Sequence, residues 1–418
     1  MIILFRALPL ALLSVCVAPL LAQDLLTLDM LVREGLENNL EIRAAQKRYE
    51  AARQRPSQES GLPDPMFSPS YASNGAPWPG AGLGSEPTSN LGFMVTQQLP
   101  GPGKRRLRGD IALKEADVEF TAYDSVRLNV VSRIKQAFHR LHHTYAAIGV
   151  MERSKDLLTN FLRVSEARYS SGKGMQQDIF KAQLQLSIVE TRIIRMLQDR
   201  RVAEAELNSL LNRKPGSPLG MPARESPVAL TMNLEELIQS AAWEAPSIRR
   251  EQKMVERGSL AVDLARKQFR PDYAVSAGYF NMGRMPDMFQ LRLDISLPLY
   301  SSRKQAPALH EQAHKLEEAR RNYESAGQTL EFRIREAYEQ AATSYKLLKL
   351  YEDTLLPQSG LSTDSSLTSY EAGTADFLSV LTNLMSKVDL EERYHEEMLA
   401  YWSAVIKLEE ITGLQLLH

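Results

Sequence analysis

His310-Glu311-Gln312-Ala313-His314 is a literal HExxH sequence. On a helix, two histidines four residues apart share one face and can hold a zinc ion, and the glutamate between them can act as general base. A second group, His139, His142 and His143, also lies within one helical turn and could chelate a metal. Lys104-Arg105-Arg106-Leu107-Arg108 is a basic run of the sort that meets phosphate groups. Each has a plainer reading. The HExxH segment sits in a repeated, charged helical stretch with no acidic residue marked out as third ligand, which favours a solvated or lumen-facing helix over a metalloprotease. The three histidines flank an apolar seam between Phe138 and Leu141, which favours interface or exposed polar positions. A net charge of −1 gives no basis for nucleic-acid binding, and the basic run is better matched to anionic groups at a membrane rim or to solvent.

The elements that must carry these residues are set by a duplication. Leu28, Leu31, Val32, Ile42 and Arg43 recur as Leu234, Leu237, Ile238, Ile248 and Arg249, and residues 168–172 recur as 369–373. Pro65 recurs as Pro271, and Leu99-Pro100 as Leu297-Pro298. A wall closing around an axis uses two copies of a whole fold; an enzyme seldom does. We expect a signal peptide over 1–22, a first repeat over 23–214, a linker over 215–231, a second repeat over 232–413 and a tail over 414–418. The leader has Arg6, an apolar run and a small-residue cleavage point at Ala22-Gln23. The competing readings are a membrane helix, weakened by Pro9 and Pro19, and lipidation at Cys16, weakened by Val15. Cys16 is the only cysteine, so the cleaved chain would have no disulfide and no thiolate metal site.

Within each repeat the hydrophobic period switches. Ile179, Ala182, Leu186, Val189, Ile193 and Met196, continuing through Ala203, Leu207 and Leu210, make a heptad seam of about 30 residues. Val131, Ile134, Phe138, Leu141, Tyr145 and Ile148 make another. Helices of this length, some 45 Å, do not fit a compact globule. Between them lie segments of period two. Phe289, Leu291, Leu293, Ile295 and Leu297 alternate with Gln290, Arg292, Asp294 and Ser296. Strands are expected over about 66–74, 90–99, 272–280 and 288–297, with Pro65, Pro100, Pro271 and Pro298 at the four strand-to-helix junctions. About ten residues with one apolar and one polar face suits a transmembrane strand; a soluble sheet packed on a helix shows the same alternation. Four strands cannot close a lipid-embedded barrel, so the membrane reading requires a homo-oligomer.

The opening over 28–52, the turns Tyr169-Ser170-Ser171-Gly172 and Tyr370-Glu371-Ala372-Gly373, and the closing Leu408-Glu409-Glu410-Ile411-Thr412-Gly413 together resemble the TolC-type outer-membrane efflux proteins. Gln98-Leu99-Pro100-Gly101-Pro102-Gly103-Lys104-Arg105 is similar to the heavy-metal, CusC/CzcC-like branch. The resemblance implies a mainly α fold with transmembrane β: a duplicated helix–hairpin–helix repeat whose four strands per protomer complete a trimeric 12-stranded outer-membrane barrel, continued by a periplasmic coiled-coil barrel. It implies a passive exit duct without enzymatic activity or cofactor, located in the outer membrane and extending into the periplasm. The implied partners are two further copies, outer-membrane lipid, a periplasmic adaptor and an inner-membrane transporter of RND type. Tyr169, Gly172, Tyr370 and Gly373 would lie at adaptor-contacting turns, and Asp178 and Asp376 at the entrance. Ser379 and Thr382 replace aspartates found in some relatives, which argues against a strongly acidic gate. Metal export is the favoured cargo; organic toxicants or secreted proteins are the alternatives within this architecture, and a periplasmic adaptor is the alternative outside it.

Overall fold

A computed structural model describes residues 25–73 and 78–416, so the leader and Cys16 lie outside the described residues. The first repeat runs α1 (Leu28–Asn38), α2 (Leu40–Ala52), α3 (Arg55–Ser60), β1 (Met66–Ala72), β2 (Asn90–Leu99), α4 (Lys104–Ser170) and α5 (Gln176–Leu210). The second runs α6 (Leu234–Glu244), α7 (Pro246–Lys267), β3 (Asp272–Asn281), β4 (Met288–Ser296), α8 (Gln305–Leu350), a π-helical turn (Tyr351–Leu355), α9 (Leu356–Glu371) and α10 (Phe377–Thr412).

Equivalent bends are made by different chemistry. Between α1 and α2 the chain is extended at Asn39, whose side chain accepts from the amides of Glu41 and Ile42 at 2.9 and 3.2 Å. Its amide nitrogen also donates to Leu210 O at 2.9 Å, fixing the bend to α5. Between α6 and α7 the chain is extended at Ala245, and Pro246 opens the next helix instead. Proline suits that place because the first helical N–H has no partner within the helix.

The α4 helix has 67 residues, about 100 Å at 1.5 Å per residue. It extends well beyond the heptad seam read within it, and the buried positions Met151, Ser154, Leu158, Phe161 and Ser165 carry the same three-and-four spacing on toward its C-terminal end. Both seams face inward: Ile134, Phe138, Leu141, Ala182, Val189, Ala203, Leu207 and Leu210 are buried. The core is a chain of clusters along the bundle. One joins α1, α2, α4 and α5 around Leu31, Phe138 and Leu207; its counterpart joins α6, α7, α8 and α10 around Leu237, Ile334 and Leu408. Further clusters follow the helices to the turns beyond Ser170 and Glu371.

The strands form one antiparallel sheet in the order β1-β2-β3-β4. Its middle pair, β2 and β3, joins the two repeats, with Leu91 opposite Asn281 and Leu99 opposite Tyr273. One face carries Phe67, Phe93, Val95, Val275, Phe289, Leu291, Leu293 and Ile295, all exposed. Across it runs an aromatic row, Phe67, Phe93, Tyr279 and Phe289, with successive ring centroids 5.5, 6.1 and 5.4 Å apart. A continuous apolar sheet face left bare is unsuited to water and suited to lipid. The other face carries Thr96 bonded to Ser276 at 2.9 Å and Arg292 paired with Asp294 at 3.0 Å. Phe280 is the one aromatic among the strand residues of that face. Its ring lies across Gly92 and Gly278, where a Cβ would come within 2.7 Å of it, so two glycines make room for one aromatic. No described helix is long and apolar enough to cross a membrane.

Candidate functional site

All four junction prolines stand where the strands begin or end. Pro65 and Pro271 immediately precede β1 and β3, Pro100 follows β2, and Pro298 lies two residues past β4. Between them is a contact that the sequence reading missed. Lys104, the first residue of α4, is 1% exposed, and its Nζ donates to Asp272 Oδ1 and Arg270 O, each at 2.8 Å. Asp272 Oδ1 also accepts from the Gly101 amide at 2.6 Å. A buried ammonium needs such a carboxylate and carbonyl, since an unpaired one would be costly to desolvate. The tight Gly101-Pro102-Gly103 turn brings Lys104 to this position, and a Cβ on Gly101 would meet Pro271 O at 2.6 Å. The basic run is therefore partly structural: Lys104 ties the repeats together, and Arg105 Nε donates to Ser60 O at 2.9 Å. Solvation or rim contact describes only Arg106, which is exposed and 3.7 Å from Asp110.

At the far end of the helices, the two turns share one hydrogen-bond pattern. Lys173 N donates to Arg168 O at 2.8 Å and Gly172 N to Tyr169 O at 2.9 Å; Thr374 N donates to Ser369 O at 2.9 Å and Gly373 N to Tyr370 O at 3.0 Å. Gly172 and Gly373 adopt φ of 71° and 81°, where any Cβ is strained. Their side-chain directions are open: nothing lies within 4 Å at Gly172, and only the Arg168 guanidinium, at 3.6 Å, at Gly373.

The two tyrosines part company. Tyr169 is 45% exposed, whereas Tyr370 is 3% exposed, packed on Phe161 and Phe377 with centroids 5.2 and 6.3 Å away. Arg168 lies over the Tyr370 ring at 4.6 Å and donates to Tyr370 O. Of the four turn residues singled out in the sequence, Tyr370 is thus core, turned inward between Phe161 of α4 and Phe377 of α10. Asp178 is half-buried in the first turn of α5, with its amide donating to Met175 O at 3.1 Å. Asp376 is exposed immediately before α10 and accepts from the Ser379 hydroxyl. That bond, with backbone amides at the helix start, holds the Asp376 carboxyl below its ordinary pKa and keeps it charged.

The HExxH segment lies near the start of α8, with His310, Glu311 and His314 exposed and Glu311 paired with Lys315 at 2.5 Å. Among the described residues no group of histidines and carboxylates is arranged to hold a metal ion. His139 is buried, and His142 and His143 are half-buried. His139 stacks on Trp402 of α10 at 4.4 Å, and burial, with His142 and Lys135 nearby, pushes its pKa down to about 3. Glu225 lies 3.6 Å from its Nε2, and burial raises the Glu225 pKa. At neutral pH this is a neutral imidazole beside a carboxylate, not an ion pair. His395 of α10 faces the same region and is pushed down to about 4 by burial and by His143 and His142.

A sequence comparison with curated proteins finds no match. Among solved structures, the chain is similar to the outer-membrane channel OprN (TM-score 0.78, 14% identity, 92% of this chain and 89% of that one). It is similar to the outer membrane protein VceC from Vibrio cholerae (0.78, 17%, 92% and 96%) and to CusC (0.79, 16%, 93% and 92%). At these identities the likeness establishes the fold. The profile of the family described as outer membrane efflux protein matches residues 31–213 and 237–413, one match per repeat. The chain belongs to the outer membrane efflux protein family.

Proposed function

We propose that three copies of this chain close a 12-stranded barrel in the outer membrane, continued by a helical tunnel through the periplasm, and that the assembly is a passive exit duct of a tripartite efflux pump. The observation that carries this is the pairing of a bare apolar sheet face with a 67-residue helix, in a sheet whose β1 and β4 edges are both unpaired among the described residues. An open edge in hydrocarbon leaves backbone groups unsatisfied, and closure through further copies removes it. Energy then comes from an inner-membrane transporter, of RND type, and a periplasmic adaptor docks at the turns through Gly172, Gly373 and the exposed Tyr169. Asp178 and Asp376, three copies of each, line the entrance and favour cations.

Metal ions are the cargo we favour, on the similarity of residues 98–105 to the heavy-metal branch. That segment builds the Lys104–Asp272 contact, so it supports a branch assignment through architecture and supplies no cargo ligand. Mass measurement in detergent should give three chains, and a water-soluble monomer would overturn the duct. In cells lacking their own channel, the protein with a matching transporter and adaptor should raise resistance to copper, silver or zinc more than to organic dyes; the reverse order would move the cargo to organic toxicants. Gly373→Trp should abolish resistance with trimers intact, because a bulky group fills the open approach to the turn backbone. Unchanged export in that variant would place the adaptor elsewhere.

A further inference from the structure

The Lys104–Asp272 contact closes the helix-side end of the seam between β2 and β3. The two outer edges of the sheet carry the same ingredients without a partner. Two residues ahead of the Pro65–Pro271 match, Pro63-Asp64 precedes β1 with the same Pro-Asp order as Pro271-Asp272 at the start of β3, and Arg303-Lys304 leads into α8 where Lys104 opens α4. Among the described residues, the side chains of Asp64, Arg303 and Lys304 are exposed and make no hydrogen bond or ion pair. They cannot meet within one chain: β1 and β4 are three strand spacings apart, roughly 14 Å. Yet they lie at the same end of the sheet, since β1 begins and β4 ends there. Beside Lys304, Leu297, Leu299 and Tyr300 are exposed as well, an apolar rim next to the unpaired β4 edge.

We propose that Asp64 of one protomer takes an ion pair from Arg303-Lys304 of the next copy, reproducing across the subunit seam the clasp that Lys104 and Asp272 make inside the chain. This rests on the trimeric reading above. β4 of one copy and β1 of the next run antiparallel, as every other pair in the sheet does, so the acidic start of β1 and the basic segment after β4 arrive together. The barrel base then holds six clasps in alternation, three within chains and three between them. The inner three are buried and tight because Gly101 and Gly103 shorten the turn. The outer three are reached from a longer turn, residues 297–304, which suits a contact that forms only on assembly.

The test is charge exchange in the full-length protein. Asp64→Lys and the double change Arg303→Glu, Lys304→Glu should each lower the temperature at which detergent-solubilised trimers dissociate, and the triple variant should recover it. A direct measure is Asp64→Cys with Lys304→Cys in a Cys16→Ala background, treated with a short bis-maleimide. Covalent dimers and trimers are expected, because the same sites within one chain are too far apart to be bridged. A monomeric wild type would defeat the trimeric reading itself. A trimeric wild type whose cysteine pair stays unlinked, or whose exchanged charges fail to restore stability, would overturn the clasp alone.

Discussion

The long helix of the first repeat and its counterpart in the second have the same length and different interiors. Lys104–Ser170 is one unbroken α-helix, whereas Gln305–Glu371 is interrupted at Tyr351–Leu355 by a π turn leading into Pro357. Proline lacks the N–H that an α-helix would use there and its ring crowds the carbonyl four residues back; the wider π turn accommodates both. The corresponding place in the first repeat holds Asp156, which asks for nothing special. The turn is then held from outside: Glu352 pairs with Lys349 at 2.9 Å and accepts from Tyr394 at 2.8 Å. Duplication therefore conserves the frame and lets the copies differ, one strut a continuous α-helix and the other crossed by a π turn.

Four measurements test how far the two copies differ. The largest effect should come from the sheet, where the copies are expected to behave alike. Leu293→Arg on the apolar face costs about 2–4 kcal/mol per site in a membrane barrel, and three sites per trimer should prevent assembly. Phe93→Arg in the first repeat should do the same, and Arg292→Leu on the opposite face should not. Recovery of trimers from outer membranes reads all three; equal loss from Arg292→Leu would refute the assignment of the faces.

At the turns the copies should diverge. Tyr370→Ala empties a packed aromatic site and should cost about 3 kcal/mol or more, whereas Tyr169→Ala should stay within about 0.5 kcal/mol. Hydrogen exchange over residues 161–182 and 370–384 would rise only for the first; matching effects would return Tyr370 to the surface.

A third difference is titratable. His139 is held neutral down to about pH 3 in the fold and titrates near 6.5 when exposed. The unfolded chain thus binds the extra proton first. The associated stability is complete above about pH 6.5 and falls as pH drops toward 3, by about 1.4 kcal/mol per pH unit. His395 adds to this over a narrower window, from 6.5 to about 4. Thermal melts at pH 7.5 and 5.0 should differ, and His139→Phe, which keeps a ring against Trp402, should reduce the difference. The smallest effect belongs to HExxH: Glu311→Gln should leave export equal to wild type, and lost export would restore a chemical role to that segment.

Much of this was readable from residue order. Alternation at residues 289–297 and heptads at 179–196 identify a strand and a helix because burial acts on single faces with fixed periods. The repeat supplied the equivalence of the turns and of the prolines. Three features escaped for a common reason, that they depend on pairings distant in sequence. Lys104 reads as part of a charged run until Asp272 is beside it. Tyr169 and Tyr370 are identical in pattern, and only the packing of α9 and α10 on α4 separates them. The histidines at 139, 142 and 143 read as interface or exposed positions because they flank a seam; Trp402 of α10 and Glu225, both distant in sequence, come up against His139. Pro357 was the one local signal for the π turn, visible as a proline deep inside a helical stretch.

The Lys104–Asp272 bond joins positions 168 residues apart, and the β2–β3 ladder beside it joins positions further apart still, as with Leu91 and Asn281. Such contacts close only after most of the chain has been made, and long-range closure of this kind is slow. The first hairpin must therefore wait, greasy face bare and both edges open, while the remaining two hundred or so residues arrive. In the outer-membrane reading proposed above, that interval falls on the way to the membrane, and β1 and β2 stay open to aggregation until β3 is delivered.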